Sequence, residues 1–237
     1  DKAIISIFVN PIQFGPSEDF AAYPRDLEGD LSKAREVGVD IAFVPTARDM
    51  YPEGFQTKVF VEGLDKHLCG LSRPGHFDGV TTVVAKLFLA TKPHLAIFGQ
   101  KDYQQLTVIT RMVRDLNMDI EIVGVPTVRE PDGLAMSSRN SYLTPDQRRS
   151  ALCLKKSLDL ALEMLGRGEK RAEEIKKAVE GLILDHPHTK IDYVILCDPV
   201  TLEDVAQLEG ETLLALAVRV GKTRLIDNCR LGRDPGE

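Results

Sequence analysis

The sequence predicts an α/β protein in which a parallel sheet is followed by a smaller α+β region. Short β-branched, apolar runs alternate with helical patterns through the first part of the chain, which is typical of βαβ units. From residue 144 onward two helical patterns come first and three strand-like runs follow, which is typical of an α+β region. The sequence shows no internal repeat and no low-complexity tract.

The elements of the first part follow from apolar periodicity and from the residues that end each run. Residues 3–9 are β-branched and apolar and end at Asn10-Pro11, so we expect a buried strand and then a loop. Residues 26–37 have helical spacing, and Gly38 supplies the stop. Strands are then expected at 41–44, which should be buried, at 95–99 and at 120–125. Helices are expected at 79–91 and 102–116.

The elements of the second part begin at Thr144, a good N-cap, and Pro145 follows it at the first helical position. We expect one long helix from there to about Gly166 and a charged helix over 169–185. Strands are expected at 191–197, 213–220 and 224–227. The chain would therefore divide into two domains, 1–140 and 141–237.

The composition limits the class of protein. The 237 residues are 43% hydrophobic and 28% charged, as in a globular protein with a real core. The net charge of −6 argues against nucleic-acid binding but allows a local positive pocket for a small anion. No apolar run is long enough to span a membrane, and no signal peptide is recognisable. The cysteines have no metal-ligand spacing, so we expect buried or free thiols in a cytoplasmic protein.

Two amide side chains follow the first predicted strand. Asn10 and Gln13, in FVNPIQF, lie at the carboxyl end of that strand, where open α/β sheets bind their ligands. Amides both donate and accept hydrogen bonds, which suits a ligand with hydroxyls and a carboxylate. The alternative is a turn that uses Asn and Pro for backbone reasons alone.

Charged groups follow the strand predicted at 95–99, in the segment FGQKDYQQL. The segment opens a helix, where backbone N–H groups favour anions. Lys101 adds a positive charge, Asp102 is suited to hold a metal or to cap the helix, and Gln105 lies one turn beyond Lys101 on the same face. A capping aspartate and a solvated surface lysine are the alternatives.

Two further segments carry groups suited to anions. In GLAMSSRN the hydroxyls of Ser137 and Ser138 and the guanidinium of Arg139 can hold several phosphate oxygens at once. A polar linker with a helix-capping serine is the alternative. In SRPGHF, Arg73 and His76 can face a carboxylate, and the alternative is a structural histidine.

Six segments occur in order along essentially the whole chain: FVNPIQF, Tyr23-Pro24-Arg25, SRPGHFDGV, FGQKDYQQL, MSSRN and GKTRLIDN. Together they resemble the pantothenate synthetases, a family of ATP-dependent ligases within the nucleotidylyltransferases. The resemblance implies a Rossmann-like domain at 1–140 that binds ATP and pantoate, and a lid or dimerisation domain at 141–237. It implies that the pantoate carboxylate attacks the α-phosphate of ATP to give pantoyl adenylate and pyrophosphate. The amine of β-alanine then displaces AMP.

The resemblance also implies site residues and partners. Those implied to bind pantoate are Asn10, Gln13, Gln105, Arg73 and His76. Those implied to bind ATP are Gly99, Lys101, Asp102, Met136, Ser137, Ser138 and Arg139, of which Lys101, Ser137 and Arg139 are implied to be catalytic. Mg²⁺ would neutralise the remaining phosphate charge, with Asp102 and Asp30 as the candidates near the nucleotide and the metal, and Asp30 as the candidate metal ligand. A homodimer is the family expectation.

The family pattern also includes a Met-Gly-x-x-His-x-Gly-His segment before FVNP, and this sequence contains no HxGH arrangement. We expect that the sequence omits an upstream stretch that carries a first strand and this segment. A catalytically impaired nucleotide-binding remnant of the family is the alternative. A related adenylating ligase for another hydroxy acid is the alternative among active enzymes.

Overall fold

The structure, a computed structural model, describes residues 2–16 and 18–232. The chain divides into two compact units. Unit 1 comprises the residues up to Asp65 together with Cys69–Ala96 and Val108–Ile122. Unit 2 comprises Lys66–Leu68, Ile97–Thr107 and the residues from Val123 onward. The division into domains at residue 140 remains a prediction.

The helices and strands alternate in the first part of the chain. The strands of the described residues are β1 (Ile4–Ser6), β2 (Ile41–Phe43), β3 (Leu95–Gly99), β4 (Glu121–Val125), β5 (Thr189–Cys197), β6 (Thr212–Val220) and β7 (Thr223–Leu231). The α-helices are α1 (Leu27–Glu36), α2 (Ala47–Met50), α3 (Leu68–Ser72), α4 (His76–Thr91), α5 (Tyr103–Asp115), α6 (Pro145–Ala151), α7 (Cys153–Gly166) and α8 (Ala172–Leu184). Turns of 3₁₀ helix occur at Pro11–Gln13, Leu64–Lys66, Gln100–Asp102 and Ser138–Tyr142.

The predicted α/β class is confirmed. β1 and β2 pair in parallel, with Ile4 opposite Ile41. They are connected through α1, as a parallel pair requires a crossover. The side chain of Asp26 accepts from the Gly29 N–H and starts this helix. Gly38 follows its end with a φ of 79°, a conformation that glycine adopts without steric cost, so the predicted stop is confirmed.

The prediction of buried strands at 3–9 and 41–44 was wrong in two respects. β1 covers only Ile4–Ser6, because the chain leaves the ladder before the 3₁₀ turn that begins at Pro11. Its side chains are also open to solvent: Ile4 is 42% exposed and Ile5 38%, and Ile41 on β2 is 49% exposed. β1 and β2 form a two-stranded sheet. A strand is buried on both faces only where other elements pack on both faces of its sheet, and pairing with one neighbouring strand does not by itself provide this.

Unit 2 contains an antiparallel sheet in the order β5-β6-β7, which confirms the predicted α+β region. α7 and α8 follow one another and contribute Leu158 and Ile175 to the same core as Leu214 and Leu216 of β6. β6 lies in the centre and is buried along all of its length except Arg219. No helix among the described residues combines the length and the apolar character that a bilayer crossing requires.

The long helix predicted from residue 145 to 166 is two helices. Its start is as predicted, because Thr144 forms a capping box with Gln147 and Pro145 occupies the first turn. The helix is interrupted at Leu152, whose ψ of −14° is closer to 3₁₀ than to α geometry. Ala151, Cys153 and Leu154 around the break are all buried, so the chain is packed on more than one side there.

Candidate active site

Asn10 and Gln13 are hydrogen-bonded to each other in unit 1. Asn10 is buried, with 3% exposure. Its Nδ2 donates to Gln13 Oε1 and to the Gly79 carbonyl, both at 3.0 Å. Its Oδ1 accepts from the Tyr51 hydroxyl at 2.7 Å. Both amide protons of Asn10 are therefore used inside the protein, and Asn10 holds the side chain of Gln13 in one orientation.

Helix α4 approaches the 3₁₀ turn at Pro11–Gln13 very closely at Gly79. A Cβ at position 79 would lie 2.6 Å from Gln13 Cα and 2.6 Å from the Ile12 carbonyl oxygen, distances that real Cβ atoms do not show. Only glycine allows this approach, which also brings the Gly79 carbonyl within reach of Asn10. The glycine of the sequence HFDG thus serves the turn that carries Gln13.

Arg73 and His76 hold Gln13 from the backbone side. Nδ1 of His76 lies 2.8 Å from the Gln13 carbonyl, and because a carbonyl only accepts, Nδ1 carries the proton. Nε2 of His76 lies 2.9 Å from Nη1 of Arg73 and therefore accepts. Both ring nitrogens of His76 thus have partners, and these contacts hold the ring in place against the Gln13 backbone.

Glu18 matches the charge of Arg73. The guanidinium donates to both carboxylate oxygens of Glu18 at 2.6 Å, the two-bond geometry that gives the stronger pairs. Burial by itself would raise the pKa of Glu18, but the hydrogen bonds and charge of Arg73 outweigh it and the pKa is lowered. Glu18 therefore stays ionised, and the chain Glu18–Arg73–His76 ends at the backbone of Gln13.

Lys101 lies in unit 2, in the 3₁₀ turn between β3 and α5. Its side chain is 20% exposed, and its Nζ lies 3.6 Å from the carboxylate of Asp102, whose side chain is 51% exposed. At this distance the half-exposed carboxylate neutralises the Lys101 charge only weakly. Because the Lys101 side chain is mostly buried, the alternative of a solvated surface lysine does not describe it. Asp102 directly precedes Tyr103, the first residue of α5, so its position is compatible with both alternatives, capping that helix and holding a metal.

The turn that carries Lys101 is fixed by β7. Nδ2 of Asn228 donates to the carbonyls of Gln100 and Lys101, at 3.0 Å and 2.8 Å. Gln100 in turn donates from Nε2 to the Gly124 carbonyl at 3.4 Å. Asn228 is the last residue of the GKTRLIDN segment, so this segment positions the backbone from which the Lys101 side chain extends.

The neighbouring residue of β7, Asp227, fixes the segment before Ser137. Its side chain is 1% exposed and accepts from Nη1 and Nη2 of Arg129 at 2.7 Å and 2.9 Å. Arg129 pairs with Ala135 across a hairpin and also donates to the Gly133 carbonyl at 3.1 Å. The hydrogen bond to Asp227 raises the pKa of Arg129 further above its ordinary value.

The hairpin leads directly into the MSSRN segment. Ser137 Oγ accepts from the Arg139 N–H at 3.3 Å and caps the 3₁₀ turn at Ser138–Tyr142. The capping alternative for this segment is therefore partly correct. Asn140 is buried and donates to the Glu130 carboxylate at 2.6 Å and to the Ala135 carbonyl at 3.1 Å.

Arg148 on α6 secures the same hairpin from its other side. It donates to Glu130 at 2.5 Å and to Asp132 at 2.9 Å. These hydrogen bonds raise the pKa of Arg148 and lower that of Glu130. The MSSRN segment thus starts from a hairpin that is held at both ends by charged pairs.

The remaining predicted residues lie as follows. Gln105 is in the first turns of α5, four residues after Lys101, and is partly exposed. Gly99 ends β3, and Met136 is 53% exposed at the end of the hairpin. Asp30 lies in the first turn of α1, 4.0 Å from Lys33 and half exposed. Among the described residues, no three His, Cys, Asp or Glu side chains are grouped so that they could hold a metal ion.

Sequence reasoning missed the residues that act through others. Tyr51, Glu18, Asp227 and Asn228 were not predicted as site residues, although the last two belong to the GKTRLIDN segment. Each of them positions the site through at least one residue that is distant along the chain, and such a contact leaves no local pattern.

The two clusters differ in chemistry. The unit 1 cluster is neutral at its open end and presents an amide, which suits the hydroxyl and carboxylate oxygens of a small polar ligand. In unit 2, Lys101 on its turn and Ser137, Ser138 and Arg139 in the MSSRN segment, here together called the unit 2 cluster, belong to two segments that adjacent residues of β7 secure. An ammonium, a guanidinium and two hydroxyls suit a polyanion such as a nucleotide.

Comparisons with known proteins agree with these chemistries. The profile of the family described as pantoate-beta-alanine ligase matches residues 1–230. The sequence is 57% identical over 234 residues to the pantothenate synthetase of Geobacter sulfurreducens, covering 99% of this chain and 83% of that protein. It is 59% identical over 228 residues to that of Moorella thermoacetica, covering 96% of this chain and 81% of that protein.

Two solved structures extend the comparison to the fold. The structure of pantothenate synthetase from Thermus thermophilus matches with a TM-score of 0.93 and 48% identity, covering 96% of this chain and 83% of that one. Pantoate-beta-alanine ligase from Francisella tularensis, complexed with beta-gamma ATP and beta-alanine, matches with a TM-score of 0.77 and 33% identity. That match covers all of this chain and 82% of the other.

Proposed function

The chain belongs to the pantoate–β-alanine ligase family, and on that premise we propose how its residues carry out the ATP-dependent joining of pantoate to β-alanine. The pantoate carboxylate attacks the α-phosphate of ATP and releases pyrophosphate. The β-alanine amine then attacks the acyl carbon of pantoyl adenylate and releases AMP. Neither step needs a covalent bond to the protein, so the protein's contribution is positioning and charge stabilisation.

The unit 2 cluster takes the phosphates. The observation that carries this assignment is that adjacent residues of β7 secure both segments with phosphate-binding groups: Asn228 the Lys101 turn, and Asp227 the hairpin before Ser137. Cationic and hydroxyl groups on turns that are fixed in advance stabilise the charge that moves onto pyrophosphate without first having to reorganise. Lys101, Ser137, Ser138 and Arg139 are the groups assigned, with Gly99 and Met136 as neighbours of the nucleotide.

The unit 1 cluster takes pantoate through Gln13. Asn10 has both amide protons committed, and Arg73 is matched by Glu18, so these residues act by fixing Gln13 rather than by contacting the ligand. His76 acts in the same way through the Gln13 carbonyl. Gln105, in unit 2, is assigned to pantoate by its place in the matched FGQKDYQQL segment.

Mg²⁺ fits the residues of the unit 2 cluster only as an ion held largely by the nucleotide. Mg²⁺ usually binds through one or two carboxylates plus substrate phosphates rather than in a protein cage. Asp102 is half exposed beside Lys101 and is the carboxylate assigned to it. Asp30 on α1 remains a second candidate. When bound, the ion would spread the negative charge of the phosphates.

We also assign a cytoplasmic location and a homodimer to the protein. None of the four cysteines, all of which lie in the described part of the chain, forms a disulfide, and burial raises the pKa of Cys153 to about 11 and those of Cys197 and Cys229 to about 12. Such thiols stay protonated and unreactive, as befits a reducing compartment. The dimer follows from the family, and light scattering on the purified protein tests it.

The proposed function is tested by product formation from Mg-ATP, pantoate and β-alanine. AMP and pantothenate should form in equal amounts, and omission of either acid should abolish pantothenate. ATP binding without AMP release would instead identify an impaired nucleotide-binding protein. Faster pyrophosphate release with another hydroxy acid than with pantoate would identify a related adenylating ligase.

Gln13→Ala should weaken pantoate much more than ATP. The substitution removes the amide that faces the ligand and leaves the unit 2 cluster unchanged. One hydrogen bond to an uncharged partner contributes about 0.5–1.5 kcal/mol, or up to about ten-fold, so we expect the KM for pantoate to rise roughly five- to ten-fold. Steady-state kinetics with each substrate varied in turn measures this. Equal changes in the two Michaelis constants would remove Gln13 from the pantoate site.

A further inference from the structure

We infer that Tyr51 is a positioning residue for pantoate, and that its hydroxyl acts through Asn10 to turn the Gln13 amide so that the NH₂ group faces the substrate. The inference rests on the proposed function, in which Gln13 contacts pantoate. It assigns a role to a residue that belongs to none of the matched segments, and it fixes which end of the Gln13 amide the ligand meets.

The direction of the Gln13 amide is set by a backbone carbonyl. The Gly79 carbonyl can only accept, so the Asn10 atom 3.0 Å from it is the NH₂ nitrogen. That nitrogen also lies 3.0 Å from the Gln13 side chain, which must present its oxygen there because two NH₂ groups would repel. The network leaves a single assignment of both amides, from Gly79 through Asn10 to Gln13.

Tyr51 closes the network at its other end. With the Asn10 nitrogen committed, Asn10 Oδ1 must accept, and the Tyr51 hydroxyl donates to it at 2.7 Å. Burial raises the pKa of Tyr51 to about 12, so the hydroxyl keeps its proton at any pH at which the protein is assayed. The Tyr51 ring is held by Phe8 and Phe55, with centroids 6.5 Å and 5.1 Å away, so the donor has little freedom to move.

The outer end of the Gln13 amide is available to a ligand. In the part of the chain that the structure describes, its NH₂ group has no hydrogen-bond partner, and it is not among the buried unpaired atoms. It therefore faces solvent as a donor. A hydroxyl or carboxylate oxygen of pantoate can accept from it, whereas a donor group could not, so the network selects for an acceptor at this point.

Tyr51→Phe tests the role of the hydroxyl and keeps both ring contacts. Without the donor, Asn10 Oδ1 is left buried and unpaired and the amide orientations are no longer enforced. We expect the KM for pantoate to rise roughly three- to five-fold, less than when the Gln13 amide itself is removed, and the KM for ATP to change by less than about two-fold. Tyr193→Phe, on β5 of unit 2, is the matched control and should leave both constants unchanged.

A double-mutant cycle separates positioning from general damage. In a Gln13→Ala background the Tyr51→Phe change should have less than about a two-fold further effect, because the group through which Tyr51 acts is already absent. An undiminished effect of Tyr51→Phe in that background, roughly three- to five-fold, would overturn the inference, as would equal effects on pantoate and ATP. A wild-type protein without ligase activity would count against the proposed function instead.

Gln13→Glu tests the amide direction without touching Tyr51. A carboxylate can still accept from Asn10 Nδ2, but it presents an anionic oxygen where the amide presents NH₂. We expect a loss of pantoate affinity at least as large as that of Gln13→Ala, on the order of ten-fold or more, with an unchanged thermal midpoint. If the amide oxygen faced pantoate, the carboxylate would preserve that contact, and near-wild-type pantoate affinity would overturn the inference even if Tyr51→Phe failed to fold.

Discussion

Lys101→Ala should reduce the rate of adenylate formation by about 10²–10³, the usual effect of removing one group that stabilises developing charge. The reason is electrostatic. The Lys101 side chain is four-fifths buried on a turn braced by Asn228, and its ammonium is paired only at 3.6 Å with a half-exposed carboxylate. Its charge is therefore available to phosphate oxygens at a fixed position. Release of pyrophosphate in a single turnover, before β-alanine is added, measures the step directly.

The fold should survive this substitution. The Lys101–Asp102 pair is long and partly solvated, and such pairs contribute little to stability. Lys101→Arg keeps the charge but spreads it over a larger, forked group, so part of the rate should return. Lys177→Ala, an exposed lysine on α8, controls for the loss of one positive charge from an acidic protein. Unchanged pyrophosphate release by Lys101→Ala would exclude Lys101 from the mechanism.

Local signals were sufficient to predict most of the elements. Thr144 and Pro145 indicated a helix start, and the structure adds only that Gln147 completes the capping box. Gly38 indicated the end of α1, because its left-handed backbone is one that other residues rarely adopt. These features depend on residues within a turn of one another, which is why sequence alone reveals them.

Burial and helix continuity could not be predicted in the same way. Ile4, Ile5 and Ile41 have the composition of a buried strand but are exposed, because burial depends on which layers cover a strand and not on the strand itself. Leu152 has ordinary helix propensity, and nothing beside it signals a break. In both cases tertiary packing determines the outcome, and the residues that pack there are distant along the chain.

The residues of the candidate site also divide into those that local sequence reveals and those that only the tertiary structure reveals. Its outward groups, such as Gln13 and Lys101, stand in recognisable segments at strand ends. The residues that position them were not predictable, because their hydrogen bonds cross long stretches of chain. Tyr51 reaches Asn10 over 41 residues, and Asn228 reaches Lys101 over 127. A single sequence contains no periodic or spacing signal at such separations.

Asp227→Ala should lower the free energy of unfolding of the protein by about 3 kcal/mol, the lower end of the range for breaking a buried ion pair by removing one partner. Asp227 is buried, and its two hydrogen bonds from Arg129 would be lost together with the one it accepts from the Asn228 N–H at 2.9 Å. The lower end applies because the Arg129 side chain is still 22% exposed, so water can partly solvate its charge after the partner is removed. Urea unfolding measures the difference in the free energy of unfolding, and we expect the m-value to stay unchanged.

The same substitution should reduce ATP binding in the protein that remains folded, because Asp227 acts on both phosphate-binding segments. It holds the hairpin that precedes Ser137 through Arg129, and it accepts from the backbone of Asn228, whose side chain holds the Lys101 turn. Glu163→Ala is the matched control: Glu163 lies on α7 and forms an exposed pair with Arg167, which follows the helix, so its loss should change neither stability nor ATP affinity measurably. An Asp227→Ala protein that loses stability but binds ATP as wild type would restrict Asp227 to the core of unit 2. Loss of both would link the stability of β7 to the geometry of the phosphate site.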